Sequence, residues 1–279
     1  MSCVIACGPS PPSHRRARIT GPSYSGARVD VSQLLEDIAT SKARLDAARA
    51  AIGDPVVWYQ YDILANLWHI DALLHGTHRD LDALAGGLPV ADIGGADGDL
   101  AFVLEDRCGW DVDLVDTAAT NQNGLKAAHA LREQLGSQVR IEDVDLDTQF
   151  RLPRDRYGLV FLLGILYHLQ NPLFVLRELS RRADHCLLST RVARFAGEQQ
   201  TAIGNLPVAY LVSPTETNND ATNYWMFSPA GLERIVDRAG WSVLEQASVG
   251  DVVASDPSSP DHDERMFMLL RSRDCPPAP

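Results

Sequence analysis

A cluster of glycines directly after a short apolar run most constrains how this chain can fold. The segment PVADIGGADGDL, residues 89–100, contains Gly94, Gly95 and Gly98, and apolar residues then recur at helical spacing. This pattern predicts a strand, a tight turn and a helix. Glycines let such a turn approach a ligand closely, because they carry no Cβ and tolerate positive φ.

Acidic residues around the turn indicate the kind of ligand. Asp92 ends the predicted strand, and Asp97 and Asp99 lie in the turn. This much negative charge would repel a pyrophosphate, whereas a ligand with ribose hydroxyls and a positive centre would suit it. S-adenosylmethionine (SAM) is such a ligand. Asp116 lies 22 residues beyond Gly94, at the predicted end of the second strand, where a carboxylate can accept both ribose hydroxyls.

From residue 90 onward, predicted strands alternate with predicted helices, which favours an α/β fold with a parallel sheet and helices on both faces. Strands are expected at 90–93, 112–115, 139–141, 159–163, 186–189, 241–249 and 265–271, the last two as an antiparallel pair. Helices are expected at 98–107, 121–135 and 172–183, and from Pro229 onward with Ser228 as the cap.

Two further apolar stripes, at 31–52 and about 60–76, predict helices before the sheet. We therefore expect a disordered segment at 1–29, a helical appendage at 30–86, a ligand-binding domain at 87–273 with an insertion at 191–227, and a disordered tail at 274–279. The appendage either packs against the main domain or caps an active site, in which case Trp58 and Tyr61 would line it as substrate-binding residues.

The charge of the chain bears on its partners. The net charge is −12, and because the first 29 residues carry four arginines and no acid, residues 30–279 carry −16. Such a body argues against broad affinity for nucleic acid. The five cysteines form no CxxC pair, so no metal is expected. No apolar run approaches the length of a membrane span, no secretion signal is recognisable, and a cytoplasmic location is the expectation.

Ligands of open parallel sheets bind beyond the carboxyl ends of the strands, and this rule selects the cofactor residues. Asp145 and Leu146, after the third strand, are placed to bracket an adenine. The full predicted set is Asp92, Gly94, Gly95, Gly98, Asp116, Asp145, Leu146 and Gly164. The alternative is a turn that merely lets a helix pack closely, with Asp116 as a cap.

Three segments carry a resemblance to a known family. ADIGGADGDLAFVLE (91–105) resembles motif I of class I SAM-dependent methyltransferases, and DLVD (113–116) resembles their acidic second-strand end. LLGILYHLQNP (162–172) is similar to the fourth-strand segment of a subgroup that includes wobble-uridine tRNA methyltransferases using carboxy-SAM. The resemblance implies a Rossmann-like fold with a mostly parallel seven-stranded sheet, here with an N-terminal helical cap, and methyl transfer from SAM.

The chain departs from that subgroup at two cations. The tRNA enzymes place an Arg-Asn pair before a late aromatic segment, where this chain has Thr222 and Asn223, and they carry a Lys in an N-terminal Trp-rich stretch that here reads WYQYD. Losing both removes the charge-assisted contacts that an extra carboxylate would need. Ordinary SAM and a small polar acceptor with an O or N nucleophile are therefore expected. A tRNA methyltransferase and a non-catalytic SAM-binding protein are the alternatives.

Two residues after the fourth strand are the catalytic candidates. His168 is either a general base, since its pKa is naturally near neutrality, or a structural histidine bonded to a loop carbonyl. Tyr167 either touches the methionine portion or the substrate, or packs in the core. Arg191, after the fifth strand, either binds a substrate anion or forms a surface ion pair.

The segment 214–225 is dense in hydrogen-bonding side chains, and loops at strand ends carry specificity. The predicted substrate-binding residues there are Glu216, Asn218, Asn219, Asn223 and Trp225. The alternative is a surface loop rich in Asx turns that makes no direct contact with substrate.

Overall fold

A mostly parallel sheet forms the centre of the protein, in a computed structural model that describes residues 29–53, 56–217, 220–258 and 260–275. Its principal strands are β1 (Val90–Ile93), β2 (Val112–Asp116), β3 (Arg140–Asp143), β4 (Tyr157–Leu163), β5 (Ala183–Val192), β10 (Trp241–Gly250) and β11 (Glu264–Ser272). Four short strands lie between β5 and β10: β6 (Phe195–Ala196), β7 (Thr201–Ala202), β8 (Ala209–Leu211) and β9 (Trp225–Phe227). The principal strands follow the order β10-β11-β5-β4-β1-β2-β3.

Strands β1 to β5 run parallel, whereas β11 is antiparallel to both β5 and β10. Every residue of β1 and β4 is buried, as expected for parallel strands that are covered on both faces. The Rossmann-like architecture and the terminal antiparallel pair are therefore confirmed. Because β1 lies between β4 and β2, the residues that follow these three strands emerge at one edge of the sheet.

Helices cover both faces. They are α1 (Val31–Glu36), α2 (Ile38–Ile52), α3 (Asn66–Leu73), α4 (Leu81–Ala85), α5 (Asp99–Cys108), α6 (Lys126–Leu135), α7 (Pro172–Ser180) and α8 (Pro229–Arg238). Single 3₁₀ turns occur at Ile63–Ala65, Gly76–Arg79, Leu166–His168 and Pro260–His262. One apolar core contains residues of α1 to α6, and a second core on the opposite face contains residues of α7 and α8. The N-terminal helices therefore share a core with the sheet, and α3 packs on β10 and β11.

The N-terminal helices differ from the expectation at three places. The helix predicted at 31–52 is divided at Asp37, which ends α1 and precedes α2. The helix predicted at 60–76 is shorter, because the backbone becomes extended at Leu74. Helix α4 was not predicted at all, since its five residues are too few to show a helical period; Asp80 caps it by accepting from the Ala83 amide.

Two further corrections lie in the main domain. The helix predicted at 121–135 begins only at Lys126, because Gly124 and Leu125 have positive φ, and the Asn123 side chain accepts from the Ala127 amide instead. The insertion at 191–227 contains the short strands β6 to β9, which were not predicted because two or three residues carry no periodic signal. The predicted cap of α8 is confirmed: Ser228 accepts from the Gly231 amide, and Pro229 follows it.

The described residues begin at Val29, which is buried and donates its amide to Asp82 Oδ2 at 2.7 Å. The segment expected to be disordered before it, and the tail beyond Cys275, lie outside the described residues. Within the described ranges, no helix is both long enough and apolar enough to cross a membrane. Within the same ranges, no cluster of three or more His, Cys, Asp or Glu side chains is arranged to hold a metal ion.

The contact between α4 and β4 leaves no room for a side chain at Gly158. A Cβ there would lie 1.7 Å from the carbonyl oxygen of Ala85. We predict that Gly158→Ala lowers the free energy of unfolding by about 1–3 kcal/mol, because α4 must move away from the strand. Urea denaturation measures this. Gly204→Ala is the matched control, since the nearest atoms lie 3.6 Å from its Cβ position; equal losses in the two variants would contradict the prediction.

Candidate active site

The glycine turn between β1 and α5 is held against the strand ends. Gly94 and Gly98 have φ of +70° and +87°, and Ala96 also has a positive φ. Gly95 is required for a different reason, since a Cβ there would lie 2.3 Å from Asp92 Oδ2 and 2.5 Å from Leu114 Cδ1. The turn therefore exposes backbone rather than side chains to whatever binds above it.

Asp92 is buried below this turn with its charge incompletely compensated. Burial, followed by the nearby carboxylate of Asp116, raises the pKa of Asp92 to about 7. Its Oδ2 atom has no hydrogen-bond partner among the described residues. A buried carboxylate with an unsatisfied oxygen is costly, and a positively charged ligand nearby would lower that cost.

Asp116 joins the end of β2 to the glycine turn. Its Oδ2 accepts from the Ala96 amide and the Asn121 side chain, both at 3.1 Å, and its Oδ1 accepts from the Thr117 amide at 2.7 Å. Burial raises the pKa of Asp116. A carboxylate offers about four acceptor positions, and these three donors leave about one of them for a hydroxyl group of a ligand.

The residues after β3 differ in their surroundings. Asp145 is exposed and accepts from the Asp147 amide at 3.0 Å and the Thr148 hydroxyl at 2.8 Å, within its own loop. Leu146 is buried. Asp147, which sequence reasoning did not select, accepts from the amides of Gln170 and Asn171 and thereby connects the loops after β3 and β4.

The segment after β4 brings Gly164, Tyr167 and His168 together. Gly164 has a φ of +75°, and its Cβ position lies 3.6 Å from the Tyr167 hydroxyl. The rings of Tyr167 and His168 lie 4.3 Å apart. The Tyr224 amide donates to the Tyr167 carbonyl at 2.8 Å, which holds the loop before β9 beside this segment.

The hydrogen bonds of His168 define its tautomer. Its Nδ1 lies 3.1 Å from the Thr222 carbonyl and 2.9 Å from the Thr222 hydroxyl, which in turn donates to Asp220. Because the carbonyl can only accept and the hydroxyl proton is committed to Asp220, the proton resides on Nδ1 and Nε2 keeps its lone pair. Burial lowers the pKa of His168, so the ring is neutral at pH 7.

The aromatic residues before α3 contact the site unequally. Trp58 lies beneath the Arg49 guanidinium at 5.5 Å, and Tyr61 is exposed. Tyr59 donates its amide to the buried carboxylate of Asp97 at 2.7 Å. Burial, followed by the proximity of Tyr167, raises the pKa of Tyr59 to about 12. Sequence reasoning singled out Trp58 and Tyr61 and passed over Tyr59, although it belongs to the same aromatic run.

Two arginines on adjacent strands share one carboxylate. Arg191, on β5, is almost fully buried, and its Nε donates to Asp263 Oδ1. Arg265 is its register partner on β11, and its Nε lies 3.7 Å from Asp263 Oδ2. The Arg265 guanidinium lies over the Tyr167 ring at 6.0 Å. Sequence reasoning selected Arg191 and missed Arg265, which carried no signal beyond its position at the start of the last strand.

The predicted residues of the 214–225 segment mostly contact the loop itself. Glu216 accepts from the Tyr210 hydroxyl and the Ser213 amide. Asn223 is buried and donates to the Thr217 carbonyl at 3.0 Å. Trp225, with residues of α7 and α8, lines an apolar groove of about 540 Å³ next to the site. Asn218 and Asn219 lie outside the described residues.

A model of the methyltransferase domain matches residues 67–246. The chain belongs to this methyltransferase family. The protein is accordingly a SAM-dependent methyltransferase, and the buried acids around the glycine turn fit a cationic donor. A search of the curated proteins finds no significant match.

Solved structures of other proteins share the fold of this methyltransferase. The N-terminal domain of EvdMO1, crystallised with S-adenosylhomocysteine (SAH), is 15% identical, with a TM-score of 0.53 over 83% of this chain and 97% of that one. The same domain in the presence of SAH and D-fucose is 14% identical, with a TM-score of 0.53 over 85% of this chain and 97% of that one. A protein described as a methyltransferase from Bacillus halodurans C-125 is 17% identical, with a TM-score of 0.50 over 77% of this chain and 99% of that one.

The Asp116 carboxylate generates a prediction about donor binding. We predict that Asp116→Ala weakens binding of SAM by roughly tenfold to a hundredfold, the range for a hydrogen bond to a charged group. Isothermal titration calorimetry measures the affinity. Asp237→Ala, an exposed acid on α8, is the control and should bind SAM as the unmodified protein does. Unchanged affinity in Asp116→Ala would refute the assignment to the ribose.

Proposed function

We propose that this methyltransferase transfers the methyl group of SAM to an O or N nucleophile of a small polar molecule, with His168 as the general base. The observation that carries the proposal is the tautomer of His168: Nδ1 is committed to Thr222, so the lone pair lies on Nε2. Because the ring is neutral at pH 7, it is in the form that accepts a proton.

The residues around His168 support this role. Thr222 and Asp220 orient the ring through the hydroxyl, and Tyr167 packs against it. SAM, when bound, supplies a methyl group that is already activated by its sulfonium. The protein then has to align the acceptor and remove one proton, and alignment alone lowers the barrier by several kcal/mol.

In the same proposal, the donor is bound by two carboxylates and the backbone of the glycine turn. The carboxylates are those of Asp92 and Asp116, and the backbone is that of Gly94, Gly95 and Gly98. Leu146 contributes an apolar surface for the adenine, Gly164 leaves room at the end of β4, and Asp145 lies at the rim. Among the predicted substrate-binding residues, Trp58, Tyr61 and Trp225 retain enough exposure to contact an acceptor. The carboxylate of Glu216 and the amide nitrogen of Asn223 are used within the loop, so we assign these groups to its conformation.

The wobble-uridine tRNA methyltransferase remains the rival function. Against it stand the −16 charge of residues 30–279 and the burial of Asn223, which follows Thr222 at the position where those enzymes have Arg-Asn. A polyanion requires several surface cations, whereas Arg191 and Arg194 are paired with Asp263 and Glu264.

A methyl-transfer screen decides between these functions. We predict that the protein labels one or more small metabolites bearing hydroxyl or amino groups when it is supplied with radiolabelled SAM, and that bulk tRNA remains unlabelled. Scintillation counting of separated products measures this, and heat-inactivated protein is the control. Preferential labelling of tRNA would overturn the assignment of a small acceptor while leaving the methyltransferase intact.

The role of His168 can be tested against a matched histidine. We predict that His168→Gln lowers kcat by roughly 10²–10⁴-fold and leaves the affinity for SAM unchanged. We also predict that kcat/KM of the unmodified protein falls only below about pH 6.5, because the pKa of His168 is lowered from that ordinary value. Stopped assays on the acceptor from the screen, across pH, measure both.

His185→Gln is the control for this substitution. His185 is also a partly buried histidine whose Nδ1 faces a backbone carbonyl, that of Leu84, at 3.0 Å, but it lies near the start of β5. Its variant should keep full turnover per folded molecule. If His168→Gln also keeps full turnover, His168 is a structural histidine and the base lies elsewhere.

A further inference from the structure

We propose that Arg265 is a carboxylate-binding residue of the reaction centre and selects a reactant that carries this group next to the transferred methyl. The inference rests on the proposed function, since it assumes that the acceptor binds beside His168. Nothing in the sequence singles out this residue, and its place at the site follows from the antiparallel addition of β11 to β5.

The position of Arg265 is defined by its neighbours. A Cβ at Gly164 would lie 3.4 Å from Arg265 Nη1, so the guanidinium reaches the carboxyl end of β4. Tyr167 lies below it. After burial, the charge of Arg265 helps to lower the pKa of His69 and His168, and it opposes the rise in the pKa of Tyr59. The side chain is only about one-third exposed. The cation is therefore inside the site rather than on the outer surface.

The charge of Arg265 is incompletely neutralised by its surroundings. Asp263 is its nearest carboxylate, at 3.7 Å, and the same carboxylate accepts the Nε of Arg191. The adjacent Glu264 forms a bidentate pair with Arg194 at 2.7 and 2.8 Å. Two guanidiniums therefore share one carboxylate, and one positive charge is left at the site.

The aromatic neighbours of Arg265 among the described residues do not supply the missing negative charge. Burial raises the pKa of Tyr59 to about 12, so that hydroxyl is neutral at pH 7. Burial, and then Arg265, lower the pKa of His69, whose ring packs on Phe267 at 5.0 Å. Arg265 is thus surrounded by uncharged aromatic rings, and a bound anion is the natural partner for a guanidinium in such a place.

The geometry favours a single small carboxylate. A guanidinium matches a carboxylate by two parallel hydrogen bonds, and the flanking tyrosine and histidine rings suit a flat molecule. The carboxylate could be carried by the acceptor or, if the donor is carboxy-SAM, by the donor. The absent Arg-Asn and Lys of the tRNA enzymes therefore do not leave the site without a cation.

Calorimetry with paired probes tests the proposal. SAH-loaded protein is titrated with para-hydroxybenzoate and salicylate, and with the corresponding neutral amides. The ligand-free protein is titrated with SAM and with carboxy-SAM. We expect at least one carboxylate probe to bind more tightly, by roughly tenfold, than the counterpart that lacks this carboxylate, and Arg265→Met to abolish that difference. Arg265→Lys, which keeps the charge but not the fork, should retain part of it.

The two sets of titrations distinguish a carboxylate on the acceptor from one on the donor. A preference for the acids over the amides assigns the carboxylate to the acceptor, and a preference for carboxy-SAM over SAM assigns it to the donor. Arg181→Met, at an exposed arginine directly after α7, is the control and should behave as the unmodified protein. The proposal is overturned if no probe with the carboxylate binds more tightly than its counterpart, or if Arg265→Met weakens the binding of SAM itself. Failure of the unmodified protein to bind SAM would instead refute the proposed function.

Discussion

The buried carboxylate of Asp97 connects three parts of the chain on which the site depends. One oxygen accepts the Tyr59 amide and the other accepts the Asn123 side chain at 2.8 Å. The glycine turn, the segment leading to α3 and the loop after β2 therefore meet at one residue. Arg49 adds a second contact to the same turn by donating to Asp99. Without Asp97, the N-terminal helices would still pack on the sheet, but the Tyr59 amide would lose its acceptor.

The two sides of the site differ in charge. Asp92, Asp97, Asp99 and Asp116 surround the glycine turn, whereas Arg191 and Arg265 lie across β4 on the strands β5 and β11. The order of the sheet produces this separation, because β1 and β2 lie on one side of β4 and β5 and β11 lie on the other. A cationic donor and an anionic reactant would each find an opposite charge on its own side of the site.

Sequence reasoning predicted the elements that depend on local patterns. The β1 strand, the glycine turn, the acid at the end of β2 and the Ser228 cap follow from periodicity and turn chemistry within about twenty residues. Arg265 could not be found in this way, because its place depends on the register between two strands more than seventy residues apart. The same holds for Arg191, whose partner Asp263 was not visible from its neighbours, and for Asn223, whose burial depends on the path of the loop.

The left-handed backbone at Gly164 limits which substitutions this position tolerates. The space between the end of β4, Arg265 and Tyr167 is about that of one methyl group, and elsewhere in a protein a single substitution to alanine would fill it. At a φ of +75° any residue with a Cβ is strained by about 1 kcal/mol or more. The gap between these three groups is therefore kept open by a backbone torsion, because a residue with a Cβ is disfavoured there although its side chain would fit.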